Sequence, residues 1–287
     1  MIPGSFAYHR PQSVGDAVGL LAELGEDARP LAGGHSLIPM MKLRLAMPEH
    51  LVDLAGIPDL KGIRQDNNDI VIGAMTTEHE LIASDLVVSK IPILREAALL
   101  IADPQVRYMG TVGGNVANGD PGNDMPAIMM CLGAAYQLTG KGGERRVPAR
   151  RFYQGAYVTA LQPPEILTAI RIPIPPDRHG SAYEKLKRKV GDYATAAAAV
   201  VLACDGDRIA TCSIALTNVA DTPLWAEGAG RLVVGTTLDA DTVKKAVAAA
   251  EAITSPASDR RGPPHYRTKM AGVMVARALK RANERAG

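Results

Sequence analysis

Two short glycine motifs constrain the fold of this chain more than any other feature. Residues 32–36 read AGGHS and residues 111–115 read TVGGN, and each motif leaves an apolar, strand-like run. Consecutive glycines permit positive φ angles and remove the Cβ atoms that would hold a ligand at a distance. Their successive N–H groups can converge on an anion, and Ser36 and Asn115 would add side-chain donors. Two such turns predict that a diphosphate is bound from both sides, which suits a dinucleotide better than a mononucleotide.

Competing explanations of the glycines fail on their own sequence requirements. A single Gly-Gly pair is usually only a turn, but here two pairs each precede a polar donor. The stretch 111–124 contains no lysine or arginine, so it is not the phosphate loop that ends in Gly-Lys-Ser/Thr. The segment GAAYQLTGKG has no Ser or Thr after Lys141, and EGAGRL lacks the third glycine of the Rossmann fingerprint.

Periodicity and turn residues predict an α+β protein in two parts. Ser13 is a candidate N-cap for an early helix, which Gly25 ends. Two hairpins, several helices and a strand that runs into the prolines near 173–178 complete the larger part, residues 1–177. The smaller part, residues 178–287, is predicted to hold antiparallel strands, including RLVVG, and then two amphipathic helices.

Bulk properties exclude several classes of function. A formal net charge of +2 over 287 residues gives no sign of binding to nucleic acid or to an anionic membrane. There is no run of eighteen apolar residues and no charged-then-apolar leader, so we expect a soluble protein without a transmembrane segment or export signal. The three cysteines, Cys131, Cys204 and Cys212, include no C-x-x-C pair. That spacing argues against a disulfide framework and against a zinc site or iron–sulfur cluster in this chain.

The segments AGGHSLIPMMKLRL and TVGGNVANGDPGND closely resemble the two FAD-binding signatures of the flavoprotein subunits of molybdenum hydroxylases. The likeness covers essentially the whole chain, including FAYHRPQSVGDAV and DYATAAAAV. It is closest to the medium subunits of aerobic carbon monoxide dehydrogenases, with the flavin domain of xanthine dehydrogenase more distant. The resemblance implies the fold of vanillyl-alcohol oxidase-like flavoproteins. That fold has two α/β subdomains, about 1–56 and 57–177, and a small C-terminal α+β domain with an antiparallel sheet.

The resemblance also implies which residues contact a non-covalently bound FAD. The two glycine motifs would surround the pyrophosphate and the adjoining ribityl or ribose, and Asn118 and Asp124 would reach hydroxyls there. Leu161 and Lys185 would line the flavin ring, and Tyr193 would stack on its exposed side. The full expected set is Ala32, Gly33, Gly34, His35, Ser36, Ala102, Thr111, Gly113, Gly114, Asn115, Asn118, Asp124, Leu161, Lys185 and Tyr193.

Several of these residues have structural alternatives. Asp124 also suits the N-cap of a helix that begins at Met125. Lys185 is preferred over the two later lysines of YEKLKRK, which share its predicted strand face, as the cation that favours reduced flavin. His35 is expected to make a structural hydrogen bond rather than to act as an acid or base. The basic residues of the C-terminal helix are expected to face solvent.

The resemblance implies an electron-transfer subunit rather than a complete enzyme. In that family a large subunit oxidises substrate at a molybdenum–pterin centre, and electrons cross two [2Fe–2S] clusters of a small subunit to FAD, which reduces an external acceptor. We therefore expect both partner subunits, as a heterotrimer doubled by two-fold symmetry. We also expect a cytoplasmic location, with any contact to the inner face of the membrane made through partners. No catalytic residue and no metal ligand is predicted in this chain. Two alternatives stay open: a self-sufficient FAD oxidoreductase of the same fold, or an interaction subunit that binds no flavin.

Overall fold

A computed structural model describes residues 2–286. Within that range the helices are α1 Val14–Leu24, α2 Leu37–Lys42, α3 Glu78–Ala83, α4 Asp85–Lys90, α5 Pro92–Ala98, α6 Pro104–Met109, α7 Val112–Ala117, α8 Asp124–Cys131, α9 Glu227–Val233, α10 Ala240–Ala252 and α11 Pro264–Ala286. The strands are β1 Ala7–His9, β2 Ala28–Leu31, β3 His50–Asp53, β4 Ile63–Asp66, β5 Asp69–Gly73, β6 Ala135–Gly140, β7 Gly143–Pro148, β8 Tyr153–Gly155, β9 Val158–Thr159, β10 Ile166–Pro173, β11 His179–Leu186, β12 Ala196–Asp205, β13 Arg208–Thr217 and β14 Leu224–Trp225. Short 3₁₀ helices occur at Gly25–Asp27, Leu54–Gly56, Pro58–Leu60 and Ala149–Arg151.

The N-terminal segment forms a three-stranded parallel sheet in the order β1-β3-β2. Helix α1 connects β1 to β2, and its buried face packs against Val52 of β3. The predicted caps are confirmed: Ser13 accepts the N–H of Asp16, and Gly25 ends the helix with φ +59°. Strand β2 ends at Leu31, so the first glycine motif lies at the carboxyl end of a parallel strand, where α/β folds bind their ligands.

A five-stranded antiparallel sheet follows, in the order β4-β5-β10-β6-β7. Its two outer pairs are the predicted hairpins, which turn at residues 67–68 and 141–142. Strand β10 lies between them and ends at Pro173. Helices α3 to α8 are inserted between β5 and β6, and α3, α4, α5, α7 and α8 share one core with this sheet, which includes Ile72, Leu94 and Met125.

The C-terminal segment contains a four-stranded antiparallel sheet in the order β11-β12-β13-β14, with α9 and α11 packed against it and α10 packed on these two helices. The alanines at 196–199 of β12 are fully buried. Such small side chains allow the sheet to be covered closely on both faces. The predicted α+β fold with an antiparallel second sheet is confirmed.

Two predictions about this segment are wrong. RLVVG does not form a strand, because residues 227–233 form α9. A short apolar run does not distinguish a strand from a buried helix, and here Gly230 allows α9 to approach the carbonyl group of Cys212 on β13. The three lysines of YEKLKRK do not share a strand face either, since β11 ends at Leu186.

Basic residues of α11 connect the two parts of the chain rather than facing only solvent. Arg281 pairs with Glu184 of β11 and, at 3.0 Å, with Glu96 of α5. Arg285 pairs with Glu96 at 2.6 Å and also donates to the carbonyl oxygen of Ser181 at 2.6 Å. These two side chains remain 38% and 44% exposed, as expected of a solvated face, but they also link the C-terminal helix to α5.

Gly180 is the point at which α11 crosses β11. A Cβ atom there would overlap the carbonyl oxygen of Ala282. We expect Gly180→Ala to lower the free energy of unfolding by about 1–3 kcal/mol, the usual cost of overpacking. Gly228→Ala at an exposed position of α9, where a Cβ meets nothing within 4 Å, is the matched control and should be neutral or stabilising. Chemical denaturation of both variants measures the difference, and equal stabilities would contradict this packing.

Candidate functional site

A cavity of about 780 Å³ lies between the two glycine motifs and extends to the loop before β12. Its wall includes residues of α2, α6, α7, α8, β10 and β11, so distant parts of the chain meet there. A volume of this size is typical of pockets that hold cofactors. Every residue expected from the sequence to contact FAD lines this one cavity.

The first glycine motif presents unused N–H groups. A Cβ atom on Gly33 would overlap the carbonyl oxygen of Met109, and Gly34 has φ +75°, which glycine adopts without strain. The N–H groups of Gly33, Gly34, His35 and Ser36 have no backbone acceptor within residues 2–286. This motif therefore has the free donors that its sequence predicted.

The second glycine motif differs from its prediction. It forms α7, and neither Gly113 nor Gly114 has a positive φ. The N–H of Gly113 donates to the carbonyl oxygen of Ala74 at 2.9 Å. Those of Gly114 and Asn115 donate to Oγ1 and the carbonyl oxygen of Thr111, at 3.0 and 2.9 Å. The prediction that the N–H groups of this motif converge on a ligand is therefore wrong, because they donate hydrogen bonds within the protein, including to the Thr111 cap of α7.

Asn115 supplies the unsatisfied group of the second motif. Its side-chain Oδ1 is buried and has no hydrogen-bond partner within residues 2–286. The backbone is fixed, since its carbonyl oxygen accepts Nδ2 of Asn123 at 2.8 Å. Buried polar atoms are almost always paired in native proteins, so a hydroxyl group of a ligand is the natural partner for Oδ1.

A buried ion pair joins α8 to β11 at the cavity wall. Nζ of Lys185 lies 2.7 Å from Oδ2 of Asp124, with side chains 1% and 6% exposed. Lys185 also donates to the carbonyl oxygen of Leu100 at 3.3 Å, and the Tyr183 hydroxyl donates to Oδ1 of Asp124. The alternative role of Asp124 as an N-cap is wrong, because α8 begins at Asp124 itself and Asn123 holds the cap position.

Glu78, at the start of α3, lines the same cavity and was not predicted. The residue is 1% exposed, and neither carboxyl oxygen has a hydrogen-bond partner within residues 2–286. The pKa of Glu78 is raised to about 8, mainly by burial and also by the nearby charge of Asp124, while the charge of Arg107 lowers it. No sequence signal predicts that Glu78 is buried, because acidic residues are common in the first turn of a helix, directly after an N-cap such as Thr77.

Other predicted residues lie at the more exposed parts of the cavity. His35 is exposed, and its predicted structural hydrogen bond is not formed with any of residues 2–286. Tyr193 is 43% exposed in the loop before β12, and its hydroxyl donates to Oδ2 of Asp120 at 3.2 Å. Three further predicted residues also line the cavity: Ala102 before α6, Asn118 at the end of α7 and Leu161 between β9 and β10.

Among residues 2–286, no three His, Cys, Asp or Glu side chains are placed to hold a metal ion. No helix in this described range has the length and apolar character needed to cross a membrane. The three cysteines are free thiols.

Comparison with known proteins assigns both parts of the chain. The FAD binding domain in molybdopterin dehydrogenase matches residues 4–175, and the CO dehydrogenase flavoprotein C-terminal domain matches residues 181–282. The chain belongs to this flavoprotein family. Its cofactor is FAD, which fits the free N–H groups of the first motif and the unpartnered Oδ1 of Asn115.

Individual relatives cover almost the full length. The carbon monoxide dehydrogenase medium chain of Afipia carboxidovorans is 71% identical over 286 residues, which span 100% of this chain and 99% of that protein. A structure of carbon monoxide dehydrogenase from Hydrogenophaga pseudoflava, lacking the Mo-pyranopterin moiety of its cofactor, has a chain 53% identical with TM-score 0.99, covering 100% of both chains. A chain of quinoline 2-oxidoreductase from Pseudomonas putida 86 is 34% identical with TM-score 0.95, covering 100% of this chain and 99% of that one.

The buried ion pair predicts a large effect of Asp124→Ala on stability. We expect the free energy of unfolding of the FAD-free protein to fall by about 3–5 kcal/mol, because Lys185 would keep a buried charge without a partner. Adding Lys185→Met should recover much of the loss, since an apolar pair is tolerated there. Denaturation followed by circular dichroism measures both effects.

The control for that pair is Asp241→Ala, which removes an exposed ion pair with Lys245. It should cost less than about 1 kcal/mol, as surface pairs do. An Asp124→Ala loss as small as that of the control would contradict the structure.

The packing of Gly114 predicts that Gly114→Val prevents FAD binding. Its Cβ would lie 2.8 Å from Oγ1 of Thr111 and 3.3 Å from Cβ of Ala32, and both residues line the cavity. We expect the purified variant to lose flavin absorbance while its far-ultraviolet circular dichroism changes little. Gly19→Val on α1, where a Cβ meets nothing within 4 Å, is the control and should keep its FAD. A Gly114→Val protein with a full complement of FAD would show that this wall does not contact the cofactor.

Proposed function

We propose that this chain is the FAD-carrying medium subunit of a carbon monoxide dehydrogenase of the molybdenum hydroxylase type. The observation that carries the proposal is that both glycine motifs and Lys185 line one cavity in a chain 71% identical to a carbon monoxide dehydrogenase medium chain. The likeness extends over the whole length of both chains, so it includes the C-terminal part that completes the cavity.

The cavity is proposed to hold FAD with its diphosphate at the first motif. Four N–H groups without backbone acceptors point to an anion there, and no arginine or lysine is needed within the motif. Asn115 would accept a hydrogen bond from a hydroxyl group of the dinucleotide. Asp124, Asn118, Ala102 and the remaining predicted wall residues would complete the contacts.

Lys185 is the proposed cation beside the flavin ring, and it lines the cavity, whereas the two later lysines do not. Its ammonium group is positioned by Asp124 and by the carbonyl oxygen of Leu100. A fixed positive charge near the ring favours the reduced cofactor. Leu161 and Tyr193 would cover the ring and keep water from it.

The bound FAD would accept electrons from [2Fe–2S] clusters of a partner subunit and pass them to an external acceptor. The role of this chain is then to bind and orient the cofactor, and to leave one edge within reach of a partner. We propose that FAD is held without a covalent bond. No residue of this chain is assigned to the oxidation of carbon monoxide.

The proposed partners are a large molybdenum–pterin subunit and a small iron–sulfur subunit, assembled as a dimer of heterotrimers in the cytoplasm. Within the chain, we propose a boundary near residue 177, between an FAD-binding domain with subdomains of about 1–56 and 57–177 and a C-terminal domain from 178. In support of this boundary, β10 ends at Pro173 and β11, in a different sheet, begins at His179.

The electron-relay proposal predicts that the isolated chain does not oxidise carbon monoxide with a dye as acceptor. Dithionite should bleach its flavin spectrum, an acceptor should restore it, and acid precipitation should leave the yellow colour in the supernatant. Adding the other two subunits should produce carbon monoxide-dependent dye reduction. Turnover by the chain alone would favour the self-sufficient oxidoreductase. A chain that binds no flavin would favour the interaction subunit.

A further inference from the structure

Glu78 is a buried acid for which the protein provides no partner. It is the first residue of α3, where its N–H donates to the carbonyl oxygen of Gly110 at 2.9 Å, beside the second glycine motif. The residue lines the FAD cavity, and its two carboxyl oxygens are buried without a hydrogen-bond partner within residues 2–286. A buried polar group without a partner is costly, so this position is unfavourable until a ligand occupies the cavity.

The charges around Glu78 favour its neutral form. Asp124 of α8 is a second acid close enough to raise the pKa of Glu78, and its ion pair with Lys185 offsets part of this effect. Arg107 of α6 opposes this effect, but its guanidinium group donates to the carbonyl oxygen of Ile101. Arg95 of α5 donates to the carbonyl oxygen of Ile82, near the opposite end of α3. Burial therefore dominates, and the pKa of Glu78 is raised to about 8.

A neutral carboxyl group is the form that suits this cavity. It carries one O–H donor and an acceptor oxygen, whereas an ionised carboxylate only accepts. FAD brings a diphosphate with negative charge and many acceptor oxygens, so an ionised Glu78 would be repelled by it in a site of low polarity.

We propose that Glu78 binds FAD as a neutral carboxylic acid, donating a hydrogen bond to an oxygen of the dinucleotide, and that loss of this proton weakens cofactor binding. Glu78 is thus a positioning and affinity-determining residue that makes cofactor retention depend on pH. The proposal rests on the binding of FAD in this cavity.

The direction of the pH dependence follows from linkage. If only protein with protonated Glu78 binds FAD tightly, the bound state holds a proton that the free state loses above its own pKa. FAD affinity is then constant below about pH 8 and falls about tenfold per pH unit above it. Glu78→Gln keeps a neutral donor and acceptor of similar shape but removes the titration.

The test measures the Kd of FAD for the full chain, freed of cofactor, by quenching of flavin fluorescence between pH 6 and pH 10. Wild type and Glu49→Gln, a control that removes an exposed acid outside the cavity, should lose affinity together above pH 8. Glu78→Gln should bind FAD with an affinity that stays flat over the same range. Parallel curves for wild type and Glu78→Gln would overturn the proposal, because another group would then set the pH dependence.

A second measurement needs no variant. Calorimetric titration of wild type with FAD at pH 9, in two buffers with different ionisation enthalpies, should show uptake of close to one proton per FAD. Binding without proton uptake overturns the role of Glu78 even where Glu78→Gln does not fold. Absence of FAD binding at pH 7 would instead contradict the function proposed for the chain, so the two failures are distinguishable.

Discussion

The buried ion pair between Lys185 and Asp124 is the interaction on which the cavity depends. Asp124 begins α8, in the part that carries both glycine motifs, whereas Lys185 lies on β11 of the C-terminal sheet. Taking two charges out of water costs several kcal/mol for each ion, so neither is tolerable alone. The pair therefore fixes how the two parts meet. Tyr183, from the same strand as Lys185, donates to the same carboxylate and fixes its orientation.

The elements that could be predicted from the sequence are those specified by their own residues. Ser13 and Gly25 cap α1 through contacts within a few positions, and each hairpin turn is formed by turn-favouring residues between two strands that are adjacent in the chain. The errors occur where a distant partner decides. RLVVG becomes helical because it packs on β13, and the second glycine motif loses free donors because the carbonyl oxygens of Thr76 and Ala74 accept the N–H groups of Val112 and Gly113.

The same difference between local signals and distant partners explains which features of the site could be predicted. Glycine pairs and the family likeness were enough to indicate the wall residues, because these are signals within short segments. Which N–H groups stay free was not predictable, since Gly113 loses its donor to Ala74, 39 positions earlier in the chain. Glu78 was missed for a related reason: α3 packs on α5 and α6, which lie later in the chain, and nothing in TTEHEL distinguishes this residue from a solvated acid.

The close contacts at Gly33 and Gly113 affect how this cavity can change over evolutionary time. At each position the nearest atom to a would-be side chain is a backbone carbonyl oxygen, of Met109 and Ala74 respectively. Even substitution of either glycine by alanine would place a Cβ atom against main-chain atoms. A side-chain substitution elsewhere cannot remove those atoms. Contacts between main-chain segments therefore set the distance between the cavity walls, and single side-chain substitutions cannot change it. Diversification is open instead to exposed side chains such as His35 and Tyr193, which can vary without moving the walls.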